Sequence, residues 1–339
     1  MGDPFEVWAG PCPLCQDIHS EGNPLNYVDQ EIALDTETEF GADVPLPISA
    51  GLLRRLEDTA RPCVRMAIEG ASASAGAPPA WLERASDIRI MGFSARDGQS
   101  ILHLKAPTLG DAVPEVFDQQ TLWPGMASAE DTAIQLIGRV GNIVRGRETT
   151  SDMYDQPLLK HFTHWQGLFK RHVKELRLPA PFKGFNVPVV LNIEVVENAR
   201  LLSAQTPSPR QIRVVGKLDM VRHSTRSFGL VLDGGDEVRG VLQEGDPDLL
   251  LKYFGKEITV FGKAIYRPSG SLLRIDAQEI LETTEGRAAF SSIPEALSKL
   301  PRVEKRPQSS RGGVAAFFGT WPGEETDEEL LAALGELRH

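Results

Sequence analysis

The chain has 339 residues, 41% hydrophobic and 24% charged: enough apolar material for two or three domain cores, and too much for wholesale disorder. Its formal charge of −11 excludes a generally basic nucleic-acid or anionic-membrane binder, because phosphate binding needs a cationic surface. Cys12, Cys15 and Cys63 are too few, and odd in number, for a disulfide framework; they point to a reducing, cytoplasmic setting.

The opening MGDPFEVWAG has neither a basic n-region nor an apolar h-region. Glu6 breaks the myristoylation pattern at Gly2, and no run approaches the ~18 apolar residues that cross a bilayer. Charge is uneven. Residues 1–60 carry 12 acids against Arg54 and Arg55, a balance of −10. Residues 210–282 carry 11 basic and 11 acidic groups, so any nucleic-acid site there is local.

Residues 1–48 read as loose, acidic and Pro-rich, with a strand-like piece at 26–34. The run 47–59 predicts a short helix with Leu52, Leu53 and Leu56 on one face. CVRMAIEG (63–70) alternates Val64, Met66 and Ile68 as a strand does, and 71–79 is a small-residue loop. Residues 87–107 predict a β-hairpin turning at Arg96, Asp97 and Gly98. After Pro124 the period becomes helical, with Ser128 as N-cap and Ile134, Leu136, Ile137, Val140 and Ile143 in the stripe. A second amphipathic helix starts near Asp155, with Pro157 in its first turn. Its stripe runs through Leu158, Leu159, Phe162, Trp165, Leu168, Phe169, Val173 and Leu176. VVLNIEVV (189–196) reads as a buried strand and 203–211 as a linker.

From Ile212 five strands follow, at 212–221, 227–235, 237–244, 257–267 and 271–280, with a short helix at 246–255. The order β-β-β-α-β-β within about 70 residues is that of an OB-fold barrel. Gly216, Gly240 and Gly262 fall inside strands, where a small barrel coils sharply. The fold class expected is α+β: a mixed region with two amphipathic helices (1–205), an OB-like five-stranded barrel (210–282), a linker (283–313) and a helical tail (314–339). The linker includes the basic, polar stretch 301–313, with a balance of +3.

Candidate chemistry is sparse. Cys12-Pro-Leu-Cys15 is half of a zinc site that His19 and Cys63 could complete, but no second Cys-x2-Cys exists, so the pair reads as incidental and no metal or cofactor is expected. His161, His164 and His172 lack the Glu of a His-Glu-x-x-His helix and read as surface residues. Residues 138–146 (GRVGNIVRG) lack the Lys-Ser/Thr of a phosphate loop, and no Gly-x-Ser-x-Gly or dinucleotide fingerprint occurs, so an enzyme is not expected. In the barrel, Arg222, Arg226, Arg267 and Arg274 beside Tyr266 are the groups a single strand of nucleic acid would use, Tyr266 as stacking platform. Phe228, alternating with Leu230 and Leu232, reads as core.

The tail carries the strongest pattern. Phe317, Phe318 and Trp321 stand at a Gly/Pro turn; Glu324, Glu325 and Asp327 then lead a helix whose stripe is Leu330, Leu331, Leu334 and Leu337. First-turn acids suit a helix N-terminus by about 0.3–1 kcal/mol each. One short helix cannot bury such a face alone, so it docks on the chain's own body or on another protein.

Gly319-Thr320-Trp321-Pro322-Gly323-Glu324-Glu325 resembles the Gly-x-Trp-Pro-Gly-Asp-Glu run in the C-termini of short bacterial antitoxins of type II toxin–antitoxin pairs, with Glu in place of Asp. The resemblance covers about 25 residues. It implies a non-enzymatic role in which Phe317, Phe318, Trp321, Leu330, Leu331 and Leu334 grip a protein partner, commonly a PIN-domain ribonuclease toxin. Those antitoxins also have a small DNA-binding N-terminal domain, which has no counterpart in this sequence, so partner neutralisation alone carries over. The barrel resembles that of uncharacterised bacterial OB-like proteins, which implies no mechanism; single-stranded nucleic-acid binding is the alternative.

Overall fold

A computed structural model of the chain describes residues 25–74, 76–117, 127–170, 173–179, 188–243 and 245–283. The zinc candidates Cys12, Cys15 and His19, His172, and the whole tail with Phe317, Phe318, Trp321, Leu330, Leu331 and Leu334 lie outside the described residues.

The first half is a two-layer α+β body. In chain order it comprises β1 (Tyr27–Thr36), α1 (Leu46–Glu69), α2 (Ala80–Ala85), β2 (Arg89–Arg96), β3 (Gln99–Pro107), α3 (Leu109–Ala112), α4 (Pro114–Phe117), α5 (Ala133–Arg145), α6 (Gln156–Thr163), α7 (Gln166–Phe169), β4 (Val173–Leu178), β5 (Val189–Asn192) and α8 (Ile193–Gln205). The strands make one antiparallel sheet in the order β2-β3-β1-β4-β5. In β1, Ile32 and Leu34 are buried against the helices, while Asp29 and Glu31 face out beside Lys105 and Arg96. That alternation is the signature of a sheet with one wet face. The β2–β3 hairpin turns at Asp97 and Gly98, both at positive φ (51° and 77°), as a two-residue loop of matching twist requires.

Several sequence expectations needed correction. CVRMAIEG is not a strand: α1 runs unbroken through it, past Pro62, to the left-handed Gly70 cap. Its buried positions Leu52, Leu56, Ala60, Cys63, Val64 and Ala67 keep a helical period, and Met66 and Ile68 are buried as well because the last turns have neighbours on more than one side. Thr132, not Ser128, caps α5, through a capping box with Gln135. The stripe from Leu158 to Leu176 belongs to three elements: α6 ends at Thr163, α7 holds Leu168 and Phe169, and Val173 and Leu176 lie in strand β4. Within VVLNIEVV only Val189–Asn192 is strand; the Asn192 side chain accepts from the N–H groups of Glu194 and Val195 and starts α8. Helix α8 continues to Gln205 and the next strand begins at Arg210, so most of the 203–211 linker is ordered structure.

The second half is a closed barrel of β6 (Arg210–Arg222), β7 (Ser227–Val231), β8 (Glu237–Leu242), β9 (Glu257–Tyr266) and β10 (Leu272–Glu282), with α9 (Asp248–Tyr253) between the third and fourth strands. The order around the barrel is β10-β8-β7-β6-β9; β8 and β10 run parallel and every other pair antiparallel. Phe228, Leu230, Val260 and Ile275 fill its interior. The strand glycines allow close approach: a Cβ at Gly262 would sit 2.2 Å from the carbonyl of Asp276, and one at Gly240 2.1 Å from the Phe228 ring.

Body and barrel have separate apolar cores, but they touch. Leu273 of β10 belongs to the core of the body, and Ile265 of β9 packs against it.

Candidate functional site

The polar residues of this contact start from two aspartates just ahead of α6. Asp155 is 2% exposed and its carboxylate does three things. It caps α6 by accepting from the N–H of Leu158 at 3.1 Å, it binds the hydroxyl and N–H of Ser72, and it pairs with Arg274 of β10 at 3.1 Å. Asp152 pairs with Arg267, whose Nε donates at 2.8 Å, and with Arg239 at 3.1 Å. Arg274 also holds Asp276 at 2.7 Å, and burial pushes the Asp276 carboxyl above its ordinary value against that cation's pull.

Between this lattice, the end of α1 and strands β7 and β8 lie two cavities. The smaller, about 40 Å³, is walled by apolar side chains such as Ile68, Val116 and Leu273 and carries Arg222, Arg239 and Arg274. The larger, about 270 Å³, is lined by Arg65, Trp81, Thr225, Arg226 and Gln243. Glu69 and Val241 line both. Arg226 sits at φ +53° in the turn between β6 and β7, an uncommon and costly conformation for a bulky residue. Glu69 is 2.9 Å from Arg65, and burial raises its carboxyl above the usual carboxylate range.

Of the residues expected to meet nucleic acid, Arg222 and Arg274 are each 5% exposed and Arg267 is committed to Asp152. Tyr266 is 2% exposed in the barrel core, so it does not stand at the turn as a stacking platform. Arg226 alone of the five is exposed, at the mouth of the larger cavity. Cys63 is buried among the apolar side chains of α1, and that burial raises its thiol, which stays in the protonated form that does not ligate metal. His161 in the last turn of α6 and His164 at its C-cap sit edge to face at 6.1 Å; burial lowers the His161 pKa, and the neighbouring His164 adds to the shift.

Reading along the chain missed Asp152 and Asp155 as site residues, since a lone Asp has no motif; Asp155 was visible only as a helix start. It also missed a chain across three strands on the wet sheet face. The Ser94 hydroxyl lies 2.7 Å from His103 Nε2, and Glu31 lies 3.5 Å from His103 Nδ1. That order mimics a nucleophile, a base and an orienting acid. The carboxylate, however, is held at both oxygens by Arg96, at 2.7 and 2.9 Å. That clamp is the main reason its pKa falls below the usual range. With His103 a third and Glu31 nearly half exposed, the group is a cross-strand polar ladder open to water.

Comparison of the chain with protein-family models, with curated proteins and with solved structures returns no match. Among the described residues no helix is long and apolar enough to cross a membrane, and no cluster of three metal-ligating side chains occurs.

Proposed function

We propose that the chain is a non-enzymatic binding protein in which an OB-type barrel, braced against the α+β body, carries an acidic C-terminal tail that captures a protein partner. Five strands closed as first-second-third-fifth-fourth, with the third and fifth parallel and a helix before the fourth, have the order of an OB barrel. The observation that carries the reading is where the barrel's cations go. Arg267 and Arg274 end on Asp152 and Asp155 of the body, and Tyr266 is buried, so three of the five groups a single strand would use are not free to meet one. The tail's aromatics and leucine stripe are then the surface in search of a partner, and their resemblance to antitoxin tails makes a PIN-type ribonuclease the first to try. Trp321→Ala should weaken capture by about 2 kcal/mol or more, as loss of a central aromatic anchor does. Deleting residues 314–339 should abolish capture while the rest melts as before. A truncated chain that unfolds, with nothing captured by either form, would refute the reading.

One observation favours nucleic acid instead. Arg213 stacks 5.0 Å over the Phe261 ring on the outer face of β6 and β9, and Lys263 lies two residues further along β9. Titration with single-stranded DNA and RNA at near-physiological salt should give non-specific affinity, about 10⁻⁴–10⁻⁶ M. Nanomolar binding lost in Phe261→Ala would put this reading first.

A further inference from the structure

The cleft between α1 and the barrel contains a charge that no carboxylate among the described residues balances. Three guanidiniums line it, Arg222, Arg239 and Arg274, and a fourth, Arg267, meets the same Asp152 as Arg239. Among the described residues three carboxylates answer them, Asp152 with Arg239 and Arg267, and Asp155 and Asp276 with Arg274. Arg222 is the one left over. It is 5% exposed, and its bond is to a neutral acceptor, the Val116 carbonyl at 2.5 Å. Its buried Nε has no hydrogen-bond partner among the described residues, and neither does the buried Nη1 of Arg274, which lines the same cavity. Glu69 does not supply the missing charge, being tied to Arg65 one helical turn away. Burying a cation without a counter-charge costs several kcal/mol, and a fold keeps such a group where something external completes it. Orphaned buried donors are likewise expected where a ligand belongs.

We propose that this cleft is an anion-binding site built on Arg222, which takes the carboxylate or phosphate group of a small polar molecule. The cavity of about 40 Å³ has room for about three water-sized groups, which suits a small oxyanion and little else. Its apolar walls exclude water and strengthen every charge contact inside. The adjoining cavity of about 270 Å³ offers Arg226, Gln243 and the Trp81 ring to the remainder of the molecule. None of these residues belongs to the tail, so the proposal is tested apart from partner capture.

The test uses the full chain at constant ionic strength in chloride, with 10 mM inorganic phosphate or 10 mM acetate added and thermal melting read out. Wild type should gain about 2 °C or more with at least one anion, and the responding anion names the group. Arg222→Met and Arg222→Gln should lose that gain. Arg222→Met, relieved of the buried charge, should also melt above wild type when neither anion is present, the usual trade of stability for a site. The general stabilising effect of phosphate appears equally in the variants and subtracts out. Line broadening of the phosphate ³¹P signal by wild type but not by Arg222→Gln gives a second reading that does not depend on stability. Equal shifts in wild type and both variants, or no response to either anion by either method, would overturn the proposal.

Discussion

At the residue scale, Asp155 shows how one carboxylate can organise a junction. It is a helix cap, a partner for the 71–79 loop at Ser72 and the counter-ion of a buried arginine. Asp155→Ala leaves Arg274 with Asp276 as its one described carboxylate partner and uncaps α6, and should lower stability by about 3 kcal/mol in denaturant unfolding, as breaking a buried pair does. Asp155→Asn keeps the cap acceptor and should cost less. His161 supplies a pH dependence. Burial lowers its folded pKa below the ordinary value of 6.5, and its buried Nδ1 has no partner among the described residues. As pH falls through 6.5 the unfolded chain takes up the proton first, so stability is full above that value and declines below it. Melting curves between pH 8 and pH 5 should therefore fall less steeply for His161→Phe than for wild type. A parallel decline would refute this.

At the element scale, the test of α1 is Pro62. An interior proline removes a helix hydrogen bond and crowds the preceding turn, at about 3 kcal/mol relative to alanine; its loss of unfolded-state freedom returns up to about 1 kcal/mol. Pro62→Ala should raise stability by about 1–2 kcal/mol. Had 63–70 been a strand, with Pro62 in the connection before it, the change would be neutral or destabilising. The barrel glycines separate two kinds of crowding. At Gly262 the neighbours are backbone atoms of β10, which cannot move without opening the β9–β10 ladder, so Gly262→Ala should cost about 3 kcal/mol or more. At Gly240 the neighbour is the Phe228 ring, which can rotate away, and Gly240→Ala should cost less.

At the scale of the whole molecule, two cores are joined by a small apolar contact at Leu273 and Ile265 and by the aspartate–arginine lattice. Asp152 holds two barrel arginines at once, so Asp152→Ala should loosen barrel from body. The expected result is a melt that broadens or divides into two transitions, where wild type shows one; a single unchanged transition would mean the apolar contact alone suffices. The overall charge of −11 does not describe this interface, where cations outnumber the carboxylates facing them.

By itself the sequence determined those elements whose signals are local and repeated. Period-2 alternation with glycine and turn residues marked all five barrel strands and the 87–107 hairpin, because side chains on a strand point alternately inward and outward wherever the strand ends up. Asp155 and Pro157 marked the start of α6 because capping is satisfied within four residues. Tertiary structure decided the rest. Residues 63–70 fit strand alternation and helix alike because the end of α1 is buried on several sides, where periodicity carries no information. Val173 and Leu176 continued a helical stripe in spacing, yet pair with β1 and β5 because the sheet offers them partners that a longer helix could not. The cleft was out of reach altogether. Arg222, Asp152, Asp155 and Arg274 are scattered over more than a hundred residues, and whether a guanidinium meets water, a carboxylate or an empty cavity depends on what the fold sets against it.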